Sequence, residues 1–256
     1  MPSQVIVNAD DFGLSAHTNA VILHAFQAGL ISSATVMANM PAFAAACVLA
    51  HQPTLKGRIG LHFNLTYGRP LSQAILAEPR LCAPHGEFDL RIKRRTLRLT
   101  RRERAAVEQE LRAQWQRCLD HGVLPSHLDS HQHVHNIWPI GEVVARFARE
   151  QGVPVRLARN LGHNIGPLKR AFKTLLNLRL RQLSGATADY VCTPADLKDG
   201  LAPATGVLEV VAHPSALGGR DFGDAYLESG ESLQALIDQR LREVQRISYA
   251  AVPDAA

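Results

Sequence analysis

The chain has 256 residues, 46% of them hydrophobic and 20% charged, which suits one large α/β domain or two small ones and excludes global disorder. No apolar run reaches the roughly 18 residues that would span a bilayer. The net charge of +5 is concentrated in eight basic residues over 91–104 and five over 169–181, best read as solvated helix faces, since the first stretch lacks the interleaved aromatics that single-stranded nucleic acid would stack on. The opening MPSQVIVNADD does not read as a secretory signal, and Cys47, Cys82, Cys118 and Cys192 are scattered without a CxxC pair. Reduced thiols in a cytoplasmic protein are therefore expected.

In chain order, QVIVNADD (4–11) predicts a buried strand whose β-branched run stops at polar groups. HTNAVILHAFQAGL (17–30) predicts a helix with Val21, Ile22, Ala25 and Phe26 on one stripe and Gly29 near its end. ISSATVMAN (31–39) reads as a second strand, PAFAAACVLAHQ (41–52) as a helix opened by proline, and GRIGLHFNLT (57–66) as a third strand. A polar loop covers 67–89. Thr100 and Glu103 form a T-x-x-E capping box that opens a helix running to about Asp120. PSHLDSHQH (125–133) begins a fourth strand, followed by a helix over roughly 138–151 and a strand VPVRLA (153–158). Residues 160–187 read as an inserted helical hairpin or lobe, with Leu168, Phe172, Leu175 and Leu176 on one face. ADYVCT and GVLEVVAHP are two more strands, SLQALIDQRLREVQRI (232–247) the closing helix, and AAVPDAA (250–256) a frayed tail.

Alternating α and β units with uniformly apolar strands argue for a parallel sheet covered by helices. About seven strands fit a distorted or incomplete parallel β/α barrel of the TIM kind. The expected organisation is a single domain over 1–256 with a helical insertion at 160–187. A doubly wound open sheet is the alternative, weakened by the lack of G-x-G-x-x-G after the first strand.

Ionisable residues gather where the apolar strands end: Asp10 and Asp11 after VIVNA, His62 after RIGL, Asp129 and His131 after PSHL, Arg156 in VPVRL, and His213 after LEVVA. In a parallel barrel these ends share one rim, where active sites sit. The stretch HLDSHQHVH sets His127, Asp129, His131, His133 and His135 at alternate positions, so an extended chain would turn all five to one face. Same-face residues lie about 7 Å apart, so one ion with bonds of about 2.0–2.2 Å cannot use all five. Further ligands must come from other strands. One aspartate and two histidines form an open ligand set, compatible with hydrolysis or with iron-dependent oxygenation. The doubled aspartate favours hydrolysis, because a carboxylate held off the ion can act as base on its water.

The motifs NADDFGLS (8–15), GLHFNLT (60–66) and PSHLDSHQHVH (125–135) together resemble the YdjC-like carbohydrate deacetylases, which include the chitooligosaccharide deacetylases and the hopanoid-associated HpnK-like proteins. GLISSATVMAN and EVVAHPS are also similar to that family's segments, so the resemblance runs in order from residue 4 to about 215. Residues 91–104 and 160–205 match nothing recognisable. The resemblance implies a distorted β/α barrel and metal-dependent removal of N-acetyl groups from sugars. By it, Asp11, His62 and His131 would hold one divalent ion, Asp10 would be the general base and His213 the general acid. Arg156 would steady Asp10 or its water. His127, Asp129, His133 and His135 would surround the ion or line the substrate rim. The family is usually described with magnesium, whereas two imidazoles also suit zinc or another transition metal. An N-acetylated sugar is the expected partner, with nucleic acid not expected and a homodimer left open. The alternatives are a metal-dependent hydrolase of another amide or of a phosphoester on the same barrel, and a basic, non-enzymatic nucleic-acid-binding protein.

Overall fold

The computed structural model of the protein describes residues 1–218 and 221–252. Its centre is β1 (Gln4–Phe12), in which Val5, Ile6, Val7 and Ala9 are wholly buried. One edge of β1 pairs with β6 (Val207–Ala212) from Gln4 to Ala9. The other edge is divided: β9 (Gln245–Arg246) takes Gln4 and Val5, and β2 (Ser33–Val36) takes Asn8 to Phe12. Beyond β2 lie β3 (Ile59–Phe63) and β4 (Leu128–Ser130), and beyond β6 lies β5 (Tyr190–Cys192). Every pair in this sheet is parallel, and it curls into a half-barrel. Strands buried on both faces are mainly apolar, and in the fully buried β2, β3 and β6 the exceptions are Ser33, Thr35, His62 and Glu209.

Helices α1 (Ala16–Gln27), α2 (Phe43–Ala50), the short α3 (Gln73–Leu76), α4 (Arg101–Asp120), α5 (Trp138–Gln151), α6 (Pro167–Ser184), the short α7 (Pro194–Lys198) and α8 (Leu233–Leu241) connect the strands. The capping box of α4 forms as predicted: Glu103 N donates to Thr100 Oγ1 at 3.1 Å, and Thr100 N to Glu103 Oε2 at 2.8 Å. α5 packs against both α4 and α6.

Four sequence expectations need correction. VPVRLA is not a regular strand. Pro154 has no N–H to give a ladder, and the segment makes one parallel bridge, Val155 to Leu128. It nonetheless spans the gap between β4 and β5: Arg156 N donates to Leu128 O, and Asn160 N to Val191 O. Of the helical hairpin or lobe expected over 160–187, a single helix forms, α6, opened by Pro167. The closing helix stops at Leu241, because pairing of β9 with β1 claims the following residues and Ile247 N donates to Val5 O at 2.9 Å. The fourth strand ends at Ser130 in a 3-10 turn over His131–Asn136. Additional to the sequence reading are α7 and an antiparallel hairpin of β7 (Pro214–Gly218) and β8 (Asp221–Asp224). Part of the expected tail is a 3-10 turn, Tyr249–Ala251, with Tyr249 fully buried; residues 253–256 lie outside the described residues.

Candidate functional site

At the C-terminal end of β1 the register with β2 slips: Ala9 faces Ala34, but Phe12 faces Val36. The extra residue is a β-bulge, and Asp11 within it has φ 69°. Left-handed backbone at a residue other than glycine costs about 1–3 kcal/mol and persists only where neighbours hold it. They do here: Leu14 N donates to Asp11 O, Met37 N to Phe12 O, and Gly13 N to Asn19 Oδ1. Successive strand residues normally point to opposite faces. The bulge instead brings both carboxylates to the same imidazoles. His62 Nε2 is 3.2 Å from Asp11 Oδ1 and 4.0 Å from Asp10 Oδ2, and His213 Nε2 is 3.9 Å from Oδ2 of each.

Beneath this rim the barrel interior carries charge. Arg156 is 0% exposed. Its Nη1 and Nη2 donate to both oxygens of Asp10 at 2.8 and 2.7 Å, and its Nε donates to Glu209 Oε1 at 2.7 Å. Nη1 also lies 2.7 Å from Asp129 Oδ2. One guanidinium thus faces three carboxyl groups. Burial by itself would raise Asp10, but Arg156, helped by His62 and His213, holds it well below the usual carboxylate range. Asp11 is also lowered against burial, by its hydrogen bonds to His131 and His62. Deeper still, His127 stacks on Tyr249 with ring centres 3.9 Å apart, and its Nε2 pairs with Asn8 Oδ1 at 3.0 Å. Burial pushes His127 well down, so it is neutral. A Cβ on Gly60 would stand 2.5 Å from its ring, which explains glycine there.

Glu209 sits in the same interior, its Oε2 accepting from the Tyr249 hydroxyl. Burial pushes its carboxyl up to about 7 despite Arg156 and Tyr249. In the unfolded chain it ionises near 4.3. Between these values the folded state keeps a proton that the unfolded state has lost, so stability falls as pH rises. Glu209→Gln should therefore gain on the parent by roughly 3 kcal/mol as pH climbs from about 4.5 to 7. Urea midpoints read this; a difference that does not change with pH would mean Glu209 is ionised throughout.

Asp11, His62 and His131 form a group whose ligand atoms all lie within 4.8 Å of one another. His131 Nδ1 is 2.9 Å, and His62 Nε2 3.2 Å, from the same Asp11 oxygen, separations that adjacent ligands take when each lies about 2.0–2.2 Å from one ion. His62 Nδ1 lies 2.6 Å from Asp129 Oδ1, with Thr35 Oγ1 donating to Asp129 Oδ2 at 3.0 Å. A carboxylate on Nδ1 sets the tautomer that leaves the Nε2 lone pair for a metal. Burial lowers His62, yet Asp129, Asp10 and Asp11 outweigh it and carry the imidazole up to about 10. Those carboxylates call for positive charge at this point, and a divalent cation answers that demand. A second group, Asp10, His62 and Asp129, is equally compact, but both its carboxylates are already paired with the Arg156 guanidinium. The donor set at Asp11 therefore fits a divalent ion.

Of the ten residues singled out from sequence, Asp10, Asp11, His62, Asp129, His131, Arg156 and His213 come together. The even alternation of HLDSHQHVH does not survive, because Gln132 and His133 both take left-handed backbone (φ 49° and 54°). His131 turns to Asp11. His135 is fully buried and turns back onto Ser130, and His133 lines a separate cavity of about 350 Å³ with Arg91, Lys93 and Arg94. Burial lowers His133 to about 3. His127 lies under the site rather than on it. Sequence reasoning missed Asn8, Thr35, Glu209 and Tyr249. A signal existed for Glu209: a lone acid inside VLEVVA requires a buried partner, and the lone base inside VPVRL is that partner.

The family of YdjC-like proteins matches residues 4–246. The chain is 41% identical over 211 residues to a carbohydrate deacetylase of Geobacillus stearothermophilus, covering 76% of this chain and 80% of that one. It is 34% identical over 235 residues to a chitooligosaccharide deacetylase of Klebsiella pneumoniae strain 342, covering 88% and 87%. The crystal structure of a proposed cellobiose-phosphate cleavage protein from Enterococcus faecalis V583 superposes with a TM-score of 0.69 at 22% identity, over 97% of this chain and 98% of that one. That structure shares the fold. With the match covering nearly its whole length, the chain belongs to the YdjC-like family.

Proposed function

We propose that this chain is a divalent-metal-dependent hydrolase that removes the acetyl group from an N-acetylated sugar or oligosaccharide, releasing acetate and a free amine. The observation that carries the reading is the open Asp11–His62–His131 group beside a second carboxylate, Asp10, that Arg156 holds off it. Relatives bearing the names carbohydrate deacetylase and chitooligosaccharide deacetylase support the choice of bond. A bound ion supplies Lewis acidity toward the acetamide carbonyl and lowers the pKa of water to about 7.

The chain's own groups supply the rest. Asp10, fixed in orientation by the bidentate Arg156, takes a proton from the attacking water as its oxygen joins the carbonyl carbon. The C–N bond then breaks, and His213, partly exposed and facing both aspartates, gives a proton to the departing nitrogen. Without that proton the leaving group would be an amide anion. Asp129 and Thr35 keep His62 in register. Two imidazoles and one carboxylate suit zinc, cobalt or nickel, and magnesium remains the ion that the family resemblance implies.

Protein stripped of metal and refilled with Mg²⁺, Zn²⁺, Co²⁺ or Ni²⁺ should release acetate from N-acetylated chitooligosaccharides only when an ion is present. Equal release from stripped and refilled protein would remove the metal from the mechanism. Phosphate release from sugar phosphates without acetate would move the chemistry to a phosphoester.

A further inference from the structure

The two basic stretches play no part in the chemistry above. Residues 91–102 carry seven basic groups and α6 carries five, and neither stretch contains an acid. They adjoin each other in the fold. Glu142 on α5 links α6 to the first turn of α4, just beyond the first stretch: its Oε1 accepts from Arg179 Nε at 2.7 Å, and its Oε2 lies 3.9 Å from Arg104 Nη2. Arg94 reaches the Gln132 carbonyl at 3.4 Å. Its charge is also felt at Lys173, which is lowered to about 8 by burial first and then by Arg159, Lys169 and Arg94.

α6 has two apolar faces, and the fold uses only one. Leu176 and Leu180 are fully buried. Leu168, Ala171, Leu175 and Leu178 recur at helical spacing on another stripe, where the leucines are 88%, 59% and 51% exposed. Leu97, in the other basic stretch, is 66% exposed. Isolated exposed leucines are ordinary; three on one helical stripe, with Arg170 and Arg181 toward one side, Arg179 on the other and no acid on the helix, form a cationic amphipathic surface.

Charge decides what covers it. A second copy meeting this face through a two-fold axis would set like charges opposite one another. Nucleic acid would satisfy the arginines, but leave the leucines against water and find no aromatic within 91–102 and only the half-buried Phe172 on α6 to stack on. An anionic bilayer satisfies both: headgroup phosphates meet the bases, and the leucines enter the interface. We propose that α6 and residues 91–102 form a peripheral docking surface for an anionic phospholipid membrane.

Vesicle flotation of the full chain tests this. The protein should float with phosphatidylcholine vesicles containing about 30% phosphatidylglycerol and stay behind with pure phosphatidylcholine. Leu168→Ser/Leu175→Ser/Leu178→Ser, and separately Arg94→Glu/Arg95→Glu/Arg98→Glu, should each weaken binding by at least about tenfold. The leucine set changes side chains that are each at least half exposed, so it carries the test if the charge reversals misfold. No flotation with the anionic vesicles, or flotation that survives the leucine set, overturns the proposal. So does sedimentation showing a dimer that the leucine set dissociates, which would give this face to a second copy. Binding to duplex DNA with no vesicle binding would give it to nucleic acid.

Discussion

Arg156→Met is expected to cost on the order of 3–5 kcal/mol of stability, because it leaves buried carboxylates without their counter-charge. Methionine has nearly the right length and no polar demand, so packing changes little and the loss reads the ion pairs. Asp10, Asp129 and Glu209 all lean on this one guanidinium. Burial drives Glu209 toward protonation while Arg156 opposes it, so Glu209 can accept a proton in the variant at modest cost. Asp10 and Asp129 bear the larger part. The same substitution should therefore cost less in an Asp10→Asn background, since one demand has been removed already. Urea denaturation of the four proteins of that cycle measures it. A loss below about 1 kcal/mol for Arg156→Met alone would mean that water or bound cations already screen the cluster.

Asp11→Asn and Asp10→Asn should separate ion binding from proton transfer. Asparagine tolerates left-handed backbone, so Asp11→Asn keeps the bulge and removes only the charge between His62 and His131. Changes one step removed from a metal cost 10–100-fold in affinity, so losing this ligand should cost more than about 100-fold. Metal content after dialysis should fall with it. Asp10→Asn should retain metal and lose about 10²-fold or more in turnover. Chelation should lower the melting temperature of the parent and of Asp10→Asn, and do much less to Asp11→Asn. Normal metal content in Asp11→Asn, or near-normal turnover in Asp10→Asn, would each cancel the corresponding role.

The parts legible in the sequence were those written locally. Apolar strands that stop at a charge announced Asp10–Asp11, His62, Asp129 and His213, because a parallel sheet leaves no other place for those groups. Thr100 and Glu103 announced α4 to the residue, because a capping box is a contact between near neighbours. What stayed hidden depended on distant chain. The turn after Ser130 has no glycine to signal left-handed backbone at Gln132 and His133, so an alternating pattern passed for a strand. β9 is two residues that prefer helix and are overruled by an open edge of β1. Tyr249 looks like tail sequence until Glu209 and His127 are seen beside it. The β7–β8 hairpin has one strand with almost no buried side chain, so its hydrophobic pattern carries little signal.

The divided edge of β1 has a bearing on how the protein comes to exist in a cell. β1 must wait for partners at residues 33–36, 207–212 and 245–246. On a ribosome adding about 5–20 residues per second, β1 spends many seconds with one edge bare and the other half-covered. Contacts of such long sequence separation form slowly. Asp10 and Asp11 meet Arg156 and His213 only once nearly all of the described chain has emerged. The residues that would hold an ion have all been made once His131 is added, whereas Arg156 and His213 join the site late, and an unpaired apolar β1 is what a chaperone would find to hold.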